Sequence, residues 1–240
     1  KWWLYLYFIT IAWAVGYMIA FPSFGNYEGM LGWSQQGQYE AEMQAAAETY
    51  EPIYEKFAAM DFMALTQDDE AQALGKSLFA SYCTTCHGSD ARGAPGYPNL
   101  TDDDWQWGNS EQAITTTISM GRNAMMTPWG QILGSDEAVT NMARYVRSLS
   151  GLEEADEAAQ AMATQFTMLC SACHMPDGTG NPLLGAPNLT DDVWLYGSSV
   201  DIVSTTIAEG RSGQMPAHGE LFGENRTKIL AAYVYSMSQN

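Results

Sequence analysis

Cys83-Thr84-Thr85-Cys86-His87 and Cys170-Ser171-Ala172-Cys173-His174 together hold all four cysteines of this 240-residue chain. On a helical turn positions i, i+3 and i+4 share a face, so each copy gathers two thiols and an imidazole into one small volume. That is the arrangement covalent haem requires, with both sulfurs forming thioethers to the porphyrin and the adjacent histidine binding iron from below. Other uses of CxxC are a redox dithiol, two half-sites sharing one zinc, or disulfides. A thioredoxin-like dithiol needs a βαβ setting that this chain lacks, and a shared zinc leaves two identically placed histidines unexplained. Two CxxCH motifs with no cysteine to spare read as two c-type haems.

The chain is long enough for two small domains and an additional segment. Its 28 acidic residues against 10 basic ones exclude a nucleic-acid partner, since a phosphate backbone rewards clustered lysine and arginine. The acidity serves either solubility or the steering of a basic partner protein.

Ahead of the first motif, Trp2 to Phe21 (WWLYLYFITIAWAVGYMIAF) is free of charge and is ended by Pro22. About twenty helical residues span roughly 30 Å, the thickness of the hydrocarbon layer. Aromatic residues crowd both ends, as at membrane interfaces. A cleaved signal peptide has a shorter apolar core followed by small residues, which this run does not show. It reads as one retained anchor with Lys1 on the cytoplasmic side. Because c-type haem is attached outside the bacterial cytoplasm, everything beyond Pro22 is expected in the periplasm of a single-pass inner-membrane protein.

Residues 23–67 read as a periplasmic spacer, opening on SFGNYEGMLGW and helical from about Tyr39 to Met60 with an interruption near Pro52. Residues 68–151 read as the first haem domain. Glu70 to Tyr82 is an amphipathic helix leading into Cys83, Ser110-Glu111 opens a short helix, and Ser135-Asp136-Glu137 opens another that runs to Leu149. Residues 152–240 repeat this order, with Gly151 at the boundary. Asn99-Leu-Thr-Asp-Asp-Asp-Trp105 corresponds to Asn188-Leu-Thr-Asp-Asp-Val-Trp194, Gly121-Arg122 to Gly210-Arg211, and Met126 to Met215. No segment reads as part of a strand ladder.

Only three histidines exist, and two are committed to the motifs, leaving His218. At most one haem can therefore have two histidine ligands. Met125 and Met126 are the sixth-ligand candidates in the first domain, and the repeat selects Met126 because it pairs with Met215. His218 is the alternative to Met215, but its counterpart is Trp129, which cannot ligate. A loop methionine is also a common core filler. Histidine–methionine coordination raises the reduction potential and fills both axial positions, which suits a carrier rather than a site that turns over oxygen or peroxide. Arg122 and Arg211 are candidate partners of haem propionates. Trp105 and Trp194 suit the haem edge, or simple core packing.

With anchor, spacer and duplicated domain in place, the chain resembles the membrane-anchored dihaem cytochrome c subunit of cbb3-type cytochrome c oxidases. The likeness runs through the membrane stretch, both CxxCH sites, the paired NLTDD-x-W segments, and GRNAMMTPWG with GRSGQMPAHG. It implies a mainly α fold, one N-terminal transmembrane helix followed by two tandem class I cytochrome c domains. It implies no catalytic residue of its own. Electrons would pass from a donor cytochrome c, through this subunit and a monohaem cytochrome c subunit, to the catalytic subunit that carries haem b and copper. Carried over by position, the irons are held by His87 with Met126 and by His174 with Met215.

Met175 stands where the first copy has Gly88, Met162 where it has Gly75, and Met126-Thr127-Pro128 departs from the expected Met-Pro. Because the chain begins almost inside the span, a preceding cytoplasmic portion is expected. Rival readings are a membrane-bound dihaem carrier for a dehydrogenase or another reductase, and a dihaem peroxidase. The duplicated methionine and the anchor speak against the peroxidase.

Overall fold

Trp2–Ala20 forms α1 in the structure, a computed structural model that describes residues 1–239. Among the described residues it is the one helix long and apolar enough to cross a membrane. None of its residues is buried within the protein, as befits a surface made for lipid. The next segment folds back onto its end. Met30 and Leu31 donate their backbone N–H to Ile19 and Ala20 carbonyls at 3.0 and 3.1 Å. Tyr27 and Ser23 hydroxyls donate to the Ile19 and Met18 carbonyls at 2.9 and 2.7 Å. The glycine-rich stretch is thus a cap for carbonyls that a helix end would otherwise leave unpaired beside the membrane.

α2 (Gln35–Ala58) starts earlier than expected and runs through Pro52 without a break. In a solvated helix the carbonyl that proline frees can be hydrated, and Gln36–Glu40, Gln38–Glu42 and Gln44–Glu48 side-chain bonds brace the preceding turns. The chain divides within this helix into two compact units, Lys1–Lys56 and the remainder from Phe57.

The second unit opens with α3 (Phe62–Leu65), α4 (Asp69–Tyr82), α5 (Thr84–His87) and α6 (Glu111–Met120), followed by β1 (Arg122–Met126). It continues with α7 (Gly130–Leu133), α8 (Asp136–Leu149), α9 (Glu157–Gln160), α10 (Ala163–Leu169), α11 (Ser171–His174) and α12 (Val200–Glu209), then β2 (Arg211–Met215) and α13 (Gly219–Met237). Helix starts were legible. Asp68, Ser110 and Ser135 each accept a backbone N–H from the first turn of α4, α6 and α8, as Ser199 does for α12.

Two features were not legible. β1 pairs antiparallel with β2, Arg122 opposite Met215 and Met126 opposite Arg211, so a strand ladder exists where none was expected. Neither RNAMM nor RSGQM alternates apolar and polar residues over a strand's length, and the pairing joins segments far apart in sequence. The second feature is an exchange of helices. α13, the last helix of the second repeat, packs on α4 and α6 of the first repeat and on α3 just ahead of it, while α8, the last helix of the first repeat, packs on α9 and α12 of the second.

Each lobe of this unit is therefore closed by the other repeat's last helix. In the first lobe α4 crosses α13 at Gly75, where an added Cβ would run into Tyr233 Cβ and lie 3.1 Å from its Cγ. Phe79 and Tyr233 lie 5.8 Å apart, Tyr82 and Phe222 5.1 Å, and Phe62 and Tyr235 5.7 Å. In the second lobe Val139, Met142, Ala143 and Val146 of α8 share one buried cluster with Met162, Phe166, Val203 and Ile207. Tyr145 and Phe166, the counterparts of Tyr233 and Phe79, lie 5.6 Å apart. The expected domain division at Gly151 cuts across this packing. Arg144 pairs with Glu153 and Asp156 at 3.0 and 2.7 Å, and Arg147 with Glu153 at 2.6 Å, so the segment after α8 is clamped rather than a loose linker.

Candidate functional site

The last turn of α4 delivers Cys83, which begins the single turn α5. Cys86 and His87 both donate backbone N–H to the Cys83 carbonyl, at 3.2 and 3.0 Å. Cys170 does the same for Cys173 and His174, at 3.1 and 2.9 Å. No disulfide joins any of the four cysteines. Burial, with a smaller contribution from the neighbouring cysteine, pushes Cys83 and Cys170 up to about 11. Among the described residues no three histidine, cysteine, aspartate or glutamate side chains gather as a metal site.

Each histidine is aimed by a carbonyl. His87 Nδ1 lies 3.0 Å from the Pro98 oxygen and His174 Nδ1 3.1 Å from the Pro187 oxygen. A carbonyl only accepts, so Nδ1 carries the hydrogen and Nε2 keeps a free lone pair for a metal. Burial lowers both histidine pKa values, partly opposed by these bonds, which favours the neutral ligating form. The proline carbonyls were missed in the sequence, although the repeat of Pro98-Asn99-Leu100 as Pro187-Asn188-Leu189 was there to find them.

The residue after each histidine differs in cost. Gly88 has φ 79 and ψ 158, and Met175 adopts nearly the same conformation at φ 64 and ψ 157. A side chain is strained there, by about 1–3 kcal/mol. Met175→Gly should therefore stabilise the protein by about 1 kcal/mol once glycine's greater unfolded-state entropy is subtracted. A raised midpoint of thermal unfolding checks this.

Asn99 and Asn188 each fold the following turn, accepting from the threonine two residues on through both its backbone N–H at 3.0 Å and its hydroxyl at 2.8 Å. The turns lead to Trp105 and Trp194, whose indole Nε1 atoms are both buried without a hydrogen-bond partner. A buried orphan donor repeated at equivalent positions fits an acceptor supplied by a bound group, such as a haem propionate. His218 Nδ1 is likewise buried and unpartnered, with the ring stacked on Phe222 at 5.6 Å.

Met126 is half-buried while Met125 beside it is 80% exposed. The sequence reading paired Met126 with His87 of its own repeat. Here Met126 packs against the second lobe's core, the same cluster against which Cys170 and Trp194 pack. The loop carrying Met215 sits on the end of α6 in the first lobe. His218 donates its backbone N–H to the Ile118 carbonyl at 3.0 Å, and Gly121 closes against Met215, Pro216 and Ala217 backbone. The mirror bond, Trp129 N–H to Ile207 carbonyl at 2.9 Å, holds the Met126 loop on α12.

Arg122 donates from Nε to Thr117 Oγ1 at 2.8 Å and from Nη2 to the Ala113 carbonyl at 3.3 Å, with its guanidinium 4.6 Å over Trp107. Arg211 donates from Nε to Thr206 Oγ1 at 2.9 Å and lies 4.3 Å over Tyr196. Thr117, Thr206, Trp107 and Tyr196 went unread in the sequence, though they too occupy equivalent repeat positions. Where the lobes meet, Gly96 N–H donates to the Leu195 carbonyl at 2.9 Å and Gln106 Nε2 to the Gly185 carbonyl. Asp104 lies at the same seam, pushed up to about 6 by burial and then by Asp191, Asp102 and Asp103.

The family described as "Cytochrome C oxidase, cbb3-type, subunit III" matches residues 70–146 and again 157–234, and "N-terminal domain of cytochrome oxidase-cbb3, FixP" matches residues 1–28. The chain belongs to the cbb3-type cytochrome c oxidase subunit III family. It is 42% identical over 239 residues to the subunit CcoP of Rubrivivax gelatinosus, covering 100% of this chain and 78% of that one. It is 37% identical over 260 residues to the subunit FixP of Bradyrhizobium diazoefficiens, covering 99% and 88%. To the CcoP of Cereibacter sphaeroides it is 34% identical over 256 residues, again covering 99% and 88%. As a subunit III the chain is a non-catalytic electron-transfer component of the oxidase, held in the inner membrane by α1 with the later domains in the periplasm. Its four cysteines stand in haem-binding motifs.

Proposed function

We propose that each CxxCH turn of this subunit III carries one covalently bound haem c, and that the axial pairs are crossed between repeats, His87 with Met215 and His174 with Met126. The packing of Met126 against the second lobe's core, which Cys170 and Trp194 also flank, carries this reading. It replaces the pairing within each repeat expected from the sequence. Bound in this way, a haem would supply one-electron ferrous–ferric chemistry, and His87, Met215, His174 and Met126 would hold the two irons. The chain's own groups do the rest. The Pro98 and Pro187 carbonyls hold the imidazoles in the ligating tautomer. The Trp105 and Trp194 indole N–H groups offer donors to a propionate, and Arg122 and Arg211 have further N–H groups for the same purpose. Methionine rather than His218 is taken as the first lobe's ligand, because Met215 has a counterpart in Met126 whereas the counterpart of His218 is Trp129, which cannot ligate.

In the oxidase this subunit receives electrons from a donor cytochrome c and passes them, through a monohaem cytochrome c subunit, towards the haem b- and copper-containing catalytic subunit. Gentle solubilisation of membranes tests this. The protein is expected to be isolated with a haem b- and copper-containing subunit and with the mass of two haems added to its polypeptide. A colourless or zinc-loaded polypeptide refutes the haem assignment, and isolation with a dehydrogenase in place of the oxidase refutes the partner.

A further inference from the structure

Residues directly opposite each other in an antiparallel pair project to the same face. The inner face of the β1–β2 ribbon therefore carries Arg122 with Met215 at one end and Met126 with Arg211 at the other, with only Ala124 and Gly213 between. Each arginine is rooted in its own lobe. Thr117 Oγ1 accepts from Arg122 while donating to the Ala113 carbonyl of α6 at 2.8 Å, and Thr206 Oγ1 accepts from Arg211 while donating to the Ile202 carbonyl of α12 at 2.9 Å. An aromatic ring, Trp107 or Tyr196, backs each guanidinium.

We propose that Arg122 and Arg211 are positioning residues, each pinning to its lobe the end of the ribbon from which the opposite methionine reaches that lobe's iron. An isolated two-stranded ribbon of five residues a side is marginal in water, so its position must be set from outside. The last residue of each strand is the methionine, and the threonine–arginine–aromatic stack opposite it is the nearest fixed point. The two clamps are unequal. Arg122 has a second bond, to Ala113, and lies over tryptophan, whereas Arg211 lies over tyrosine. Removing the threonine should therefore free Met126 more readily than Met215.

The inference rests on the crossed pairing. Its test uses the full-length, haem-loaded protein in the ferrous state, where each coordinated methionine methyl gives its own ring-current-shifted proton resonance. Nuclear Overhauser contacts trace each methyl to its haem, and that haem's thioether bridge to its cysteines, which reports the pairing independently. Thr117→Val leaves the arginine charge and any propionate contact but removes the anchoring acceptor. The Met215 resonance is expected to broaden or move, the fraction of that haem binding carbon monoxide to rise about tenfold, and the Met126 resonance to stay in place. Thr117→Ser should restore both. Thr206→Val should do the same to Met126, with the larger effect. An unshifted Met215 resonance in Thr117→Val overturns the clamp. Contacts from the Met215 methyl to the haem on Cys170 and Cys173 overturn the pairing instead.

Discussion

Met215→Leu should strip the methionine from the haem on Cys83 and Cys86, 129 and more residues upstream in sequence, and leave the haem on Cys170 and Cys173 as it was. The reason is the exchange of last helices. Met215 is delivered to the end of α6 by a loop bonded to Ile118, and the helix that follows it packs on α4. Losing a thioether sulfur that favours ferrous iron should lower that haem's potential by on the order of 0.2 V, a fraction of the ~0.8 V over which axial ligands set potentials. The open position should then bind carbon monoxide. Redox titration followed at each haem checks this, with Met126→Leu as the mirror experiment. A fall in the potential of the haem on Cys170 would show that each repeat serves itself.

The second large effect concerns how the first lobe closes. Gly75→Val should destabilise the protein by about 3 kcal/mol or more, because α4 and α13 touch backbone to backbone there. The atoms in the way are Tyr233 Cβ and, at 3.2 Å, the Ile229 carbonyl, neither of which is the free end of a flexible side chain. Pushing α13 away also displaces the Met215 loop that precedes it, so the unfolding midpoint and the first haem's methionine signature should fall together. Met162, at the corresponding position of the second repeat, is already large and buried in its lobe's core, so Met162→Leu should cost less than about 1.5 kcal/mol. Thermal unfolding of the detergent-solubilised protein, followed by haem absorbance, compares the two.

Much of this protein was legible because it depends on short-range relations. The spacing of Cys83, Cys86 and His87 is a property of one helical turn. The charge-free run before Pro22 has the length of a bilayer, and Asp68, Ser110 and Ser135 start helices through bonds to residues three positions on. The repeat also marked Trp105, Trp194, Arg122 and Arg211 as places to look. It could equally have marked Pro98 and Thr117, but a carbonyl and a hydroxyl inside ordinary loops and helices carry no compositional signal.

Sequence alone determined the haem motifs, the membrane segment, the duplication and the pair of methionines, since each is written in neighbouring residues or in the match between copies. Tertiary structure alone decided which last helix closes which lobe, and with it the lobe against which each methionine loop lies. Two repeats with the same order of elements carry the same kind of apolar helix face, and local pattern does not say which last helix closes which lobe. The choice falls to the path of the chain, where β1 leads from α6 across the seam and pairs with β2 returning the other way, a long-range bond that no stretch of residues announces by itself.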